Sequence, residues 1–140
     1  MICAMKKLLT LLATCLLLLA AGTKASAQCL ENSSHATIGY INSDGRAENS
    51  SHATIGYFAS GGRVENSSHA TIGYISSDRF ENSSHATIGY YSNGRVENSS
   101  HATIGYVSNG RVENSSHATI GYYSGVREEW VAYYYFFFAK

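Results

Sequence analysis

One decapeptide, ENSSHATIGY, occupies residues 31–40, 48–57, 65–74, 81–90, 97–106 and 113–122 without a single change. Successive copies start 17, 17, 16, 16 and 16 residues apart. A unit this short buries no core alone, so its copies must pack on one another, and that need governs the fold before any local propensity does. The joining segments INSDGRA, FASGGRV, ISSDRF, YSNGRV and VSNGRV absorb the change in length. Asn-Gly at 93–94 and 109–110, Asp-Gly at 44–45 and Gly-Gly at 61–62 reach the positive φ angles of tight hairpin turns. Each joint therefore reads as a hairpin tip, where a residue is gained or lost at little cost because the tip faces solvent.

On both sides of the tip the pattern has period two, the signature of a strand. The pairs Arg46/Glu48, Arg63/Glu65, Arg79/Glu81, Arg95/Glu97, Arg111/Glu113 and Arg127/Glu129 define a charged outer face. In Thr-Ile-Gly-Tyr-x, strict alternation puts Ile38 with Tyr40 on one side and Thr37, Gly39 and Ile41 on the other. The repeated glycine invites close approach by another backbone or ring. Asn-Ser-Ser-His supplies the turn between the two strands. The expected fold is all-β, a repeat of 16–17-residue hairpin units. A closed ring is favoured over an open β-solenoid, because closure removes free sheet edges and the first copy shows no sign of being a cap.

The N-terminus reads as an export signal. Lys6 and Lys7 precede an apolar stretch from Leu8 to Ala21, and Ala25-Ser26-Ala27 gives the small-x-small cleavage pattern. The stretch is shorter than the roughly 20 residues of a membrane span. Residues 1–27 are thus assigned to a signal peptide and 28–140 to one repeat domain. Cleavage would leave Cys29 as the sole cysteine, open to lipidation, to pairing with another chain, or to persistence as an inert thiol. It would also leave six arginines and Lys140 against ten acids, a formal charge of −3. This balance offers no basic footprint for nucleic acid.

The repeats, the export signal and an ending of Glu-Trp-Val-Ala before an aromatic run resemble small exported bacterial proteins called five-fold beta-flower proteins. The resemblance implies an all-β, pseudo-symmetric ring of hairpins and carries no biochemical activity with it. Six decapeptides with five complete joints leave two constructions open, five petals plus a closing unit or six petals.

The C-terminal segment 129–140 begins in register as a seventh first strand, Glu129 falling 16 residues after Glu113. It is expected to complete the last hairpin and pack into the ring as core. Membrane contact through Trp130 to Phe138 is the less favoured reading.

Two sets of repeated side chains are candidate binding residues. His35, His52, His69, His85, His101 and His117 would stand at one radius of a ring, as a metal or pH-sensing array. Against this, no carboxylate, Cys or second His stands at ligand spacing within a repeat. Tyr40, Tyr57, Tyr74, Tyr90, Tyr106 and Tyr122 would be either core or stacking platforms for a repetitive glycan. No cofactor and no resident metal are expected. Neither is catalysis, since six equivalent surfaces show no distinctive cleft. The expected role is an exported structural or interaction module, with multivalent carbohydrate binding as the alternative. A glycan or an envelope protein is the expected partner.

Overall fold

The computed structural model describes residues 28–138; the signal-peptide assignment lies outside the described residues. Twelve strands run in sequence: β1 (Cys29–Asn32), β2 (Thr37–Ile41), β3 (Arg46–Asn49), β4 (Thr54–Phe58), β5 (Arg63–Asn66), β6 (Thr71–Ser76), β7 (Arg79–Asn82), β8 (Thr87–Ser92), β9 (Arg95–Asn98), β10 (Thr103–Ser108), β11 (Arg111–Asn114) and β12 (Thr119–Ser124). Each is antiparallel to its neighbours, and β1 pairs with β12 from Cys29↔Ser124 to Asn32↔Gly121, closing the barrel. The ring is closed rather than solenoidal, and each decapeptide joins the two strands of one hairpin, giving six petals.

Asn-Ser-Ser-His closes each hairpin through the asparagine. Asn32 Oδ1 accepts from the backbone N–H groups of Ser34 at 2.9 Å and Ala36 at 3.0 Å, and the His35 N–H donates to Asn32 O. This turn leaves the histidine left-handed, with φ of 62° to 64° in all six copies. At the opposite end, Asn93-Gly94 and Asn109-Gly110 take the paired positive φ values that their sequence predicts. ISSDRF has no glycine, and Ser77 takes the left-handed position instead, at φ 58°.

One irregularity overturns the alternation predicted for Thr-Ile-Gly-Tyr. Leu30 pairs with Gly39 and Glu31 with Thr37, so Ile38 is an extra residue, and the same slip recurs in the other five petals. The bulge turns Ile38 toward the core beside Gly39. Tyr40 then emerges on the outer wall opposite Glu48, and the other five tyrosines likewise pair with a glutamate. The tyrosines do not share a face with the isoleucines and are not part of the central core.

That core is helical. α1 (Glu128–Tyr133) continues into a π-helical turn, Tyr134–Phe138, instead of completing the last hairpin. A seventh strand has no edge to join, because β1 already occupies the free side of β12. A segment inside a closed barrel must satisfy its own backbone hydrogen bonds, which a helix does. The expectation that the tail packs inside the ring holds, but not as a strand. Six of its seven aromatic residues go one to each petal: Tyr133 to Gly73, Tyr134 to Gly39, Tyr135 to Gly121, Phe136 to Gly105, Phe137 to Gly89 and Phe138 to Gly56. A methyl group at Gly39 would fall 2.6 Å from Glu48 O and 2.8 Å from the Tyr134 hydroxyl. The absent side chain is therefore what admits the ring. Tyr135 also donates to Glu31 O at 2.6 Å and Tyr122 O at 3.2 Å, pinning the seam between β1 and β12.

The residue after each Tyr faces inward at the mouth where the helix enters, and it varies from petal to petal: Ile41, Phe58, Ile75, Tyr91, Val107 and Tyr123. A six-fold wall must meet a helix that has no such symmetry. Phe58 stacks on Trp130 with centroids 5.3 Å apart, while Tyr91 and Tyr123 donate their hydroxyls to the Glu128 carboxylate. Burial, and then that carboxylate, push both phenols well above their usual range. Ile41 and Val107 fill the same position as plain core. Cys29 is 2% exposed and disulfide-bonded.

Candidate functional site

Each outward tyrosine belongs to a cluster that joins two petals. The histidine of one petal lies flat on the tyrosine of the petal before it: His52 on Tyr40, His69 on Tyr57, His85 on Tyr74, His101 on Tyr90 and His117 on Tyr106. His35 on Tyr122 closes the cycle. Centroids are 4.0–4.2 Å apart and planes within 13–18° of parallel.

The same imidazole bonds its own petal's glutamate. Nδ1 is 2.8–2.9 Å from the carboxylate of the residue four positions back, in all six copies. This corrects the expectation that no carboxylate stands near a histidine within its repeat. Four residues across a tight turn bring Glu and His together as surely as one helical turn does. The signal was present in the sequence: His is among the few residue types that readily take left-handed φ, and Asn-Ser-Ser before it is a turn.

The other carboxylate oxygen binds an arginine. Arg46, Arg63, Arg79, Arg95 and Arg111 reach Glu48, Glu65, Glu81, Glu97 and Glu113 at 2.6–3.0 Å. The first petal departs from this pattern, because Cys29 stands where the others have arginine. The charges are layered. Glutamate side chains are 6–12% exposed, whereas the arginines are 46–57% and the histidines 51–65% exposed. An outer wall carrying ion pairs is unlike the apolar band of a lipid-facing barrel. Among the described residues no helix is long and apolar enough to cross a membrane.

A family model described as 5-fold beta-flower protein matches residues 27–139. The chain belongs to this beta-flower family. No curated protein and no solved structure gives a match. The family description counts five, and this beta-flower protein builds six petals.

The mouth of this beta-flower breaks the symmetry and holds a distinctive cleft, which repeat counting does not foresee. A cavity of about 460 Å³ is lined by Asp44, Phe58, Ser60, Ser77, Arg127 and Trp130, among others. Both seven-residue joints border it, so the two extra residues of the repeat spacing fall where the helix enters. The Arg127 guanidinium lies 5.0 Å from the Trp130 ring and pairs with Glu129.

Hydrogen bonds from histidine, followed by arginine contacts and charge attraction, hold the carboxyls of Glu48, Glu65 and Glu81 below the usual range despite partial burial. A carboxyl depressed in the folded state stabilises the fold above its unfolded pKa, and that contribution is lost as pH falls through the folded value. Thermal melts over a pH series are therefore expected to show a transition steady from neutral pH down to the carboxylate range and falling below it. Replacing the three glutamates with glutamine should flatten that acid limb. A limb unchanged in the variant would show that the acid sensitivity arises elsewhere.

Proposed function

We propose that this beta-flower protein is an exported, non-enzymatic interaction module of the periplasm or cell surface, and that its contact face is the outer belt of Arg, His and Glu. The observation that carries this reading is the stacking of an imidazole on each of the six outward tyrosines. A glycan platform needs a bare aromatic face, and here one face of each ring is already taken. What the wall offers outward is guanidinium and imidazole. Repetition supports binding over catalysis, because equivalent modest sites add through effective concentration, whereas a reaction needs one converging set of groups. The rigid plug supports it too, since a wall pinned from inside in every petal presents its sites at fixed spacing.

The test has two parts. An epitope-tagged chain expressed in bacteria should fractionate outside the cytoplasm with its N-terminus at Gln28. Purified protein should be retained by isolated cell envelopes, and the triple variant Arg79→Gln/Arg95→Gln/Arg111→Gln should lose most of that retention while still unfolding in one cooperative transition above the temperature of the assay. A cytoplasmic chain would overturn the export reading. Retention indifferent to the triple variant would overturn the belt.

A further inference from the structure

We infer that the belt of this beta-flower protein binds a linear anionic polysaccharide, holding it in acid and releasing it toward neutral pH. The inference rests on the proposal that the belt is the contact face.

The layering of charge comes first. Five petals carry an Arg–Glu–His cluster and the first carries Glu31 and His35 alone. With neutral imidazoles, each complete cluster is formally uncharged and the first petal carries −1. Protonating all six imidazoles brings each complete cluster to +1 and the first petal to zero, so the belt goes from −1 to +5. Imidazole is the ordinary side chain that changes charge between pH 5 and 8. The added charge is borne by half-exposed side chains lying over covered carboxylates, where a partner meets it directly.

The groups around each imidazole show that protonation leaves the cluster intact. Facing His69, for example, are Glu65, which it bonds, Arg63, which shares that carboxylate, and Tyr57 of the previous petal, on which it lies. A protonated ring keeps its Nδ1 bond to Glu65, now as an ion pair. Over the tyrosine face it gains a cation–π attraction. The switch therefore adds charge to the wall without dismantling it.

Geometry selects the class of partner. Equivalent sites are two strands apart, about 9–10 Å, and they run around a convex closed wall. A flat bilayer meets only the sites on one side, whereas a flexible chain with recurring carboxylate, sulfate or phosphate groups follows the curve. A single-stranded nucleic acid would want open aromatic faces for its bases, and an imidazole already covers one face of each outward tyrosine.

Binding of fluorescently labelled dextran sulfate and polygalacturonate to the full chain, read by anisotropy, tests this. Affinity at about pH 5 should exceed that at about pH 8 by roughly tenfold or more, and should weaken steeply with salt. Arg79→Gln/Arg95→Gln/Arg111→Gln should weaken acid binding. Replacing all six histidines with asparagine, which tolerates left-handed φ, should abolish the pH dependence. If that variant does not fold, the pH profile of the parent and the arginine variant still decide the matter. Equal affinity at the two pH values overturns the inference, as does tighter binding to phosphatidylglycerol vesicles or single-stranded DNA than to either glycan. Should the glycans fail while envelope retention still depends on the belt arginines, this inference falls and the contact-face reading stands. Should retention ignore those arginines, both fall.

Discussion

A chain that stops at Glu129 is expected to lose its cooperative thermal transition altogether. The tail fills the centre of the barrel, whose inward glycines are spaces kept for the six rings of Tyr133 to Phe138 and whose inward aliphatic side chains pack around them. Large aromatic side chains bury about 150–250 Å² each, which at about 25 cal/mol per Å² is about 4–6 kcal/mol apiece. Even as an upper bound, six of them exceed the roughly 5–15 kcal/mol by which a whole domain is stable. Residues 28–129 should therefore show no sigmoidal melt by circular dichroism and should expose apolar surface to a hydrophobic dye. A truncated chain melting like the parent would mean that the wall stands by itself and the helix is an accessory.

The second large effect is expected from a single methyl group. In Gly105→Ala the new carbon would lie 2.5 Å from Glu113 O, with the Phe136 ring pressed against it as well. Ordinary overpacking costs about 1–3 kcal/mol, and here one of the obstructing atoms is backbone, so the upper part of that range is expected. Phe136→Ala should cost about 3–5 kcal/mol through the cavity it leaves. The double variant should be less destabilised than the two singles together, by about 1 kcal/mol or more, because the methyl group then enters space vacated by the ring. Denaturant unfolding of the four proteins measures this. Strict additivity would mean that ring and glycine are not in contact.

Much of this architecture is legible in the amino-acid sequence. The repeat, the turn dipeptides and the period-two pattern specify hairpins, and hairpins in series without caps specify closure, so the ring follows. Two features escape for definite reasons. The bulge at Ile38 adds one residue to a strand without any mark in the sequence, and one residue reverses which face a tyrosine occupies. The tail reads as a strand because an apolar aromatic run has high strand propensity. Tertiary context decides otherwise, since the only space left lies on the barrel axis, away from any free edge. At the belt, Glu, His and Arg are each visible as repeated residues. Their meeting is not, because the Glu–His contact depends on one left-handed residue and the His–Tyr contact crosses between petals. The mouth cleft is invisible for a related reason: it arises where the repetition ends.

The one-to-one match of rings to glycines also constrains how such a chain changes its size. Gene duplication readily adds or deletes a block of 16 or 17 residues, and the hairpin it encodes is ready-made. A seventh petal, however, would bring a seventh glycine with no aromatic opposite it, and a lost petal would leave one ring without a place. The wall grows by whole units and the plug by single residues, at sites far apart in the chain. Petal number is thus held by a matching rule between two distant stretches of sequence, and a change in either one requires a second, separate change in the other.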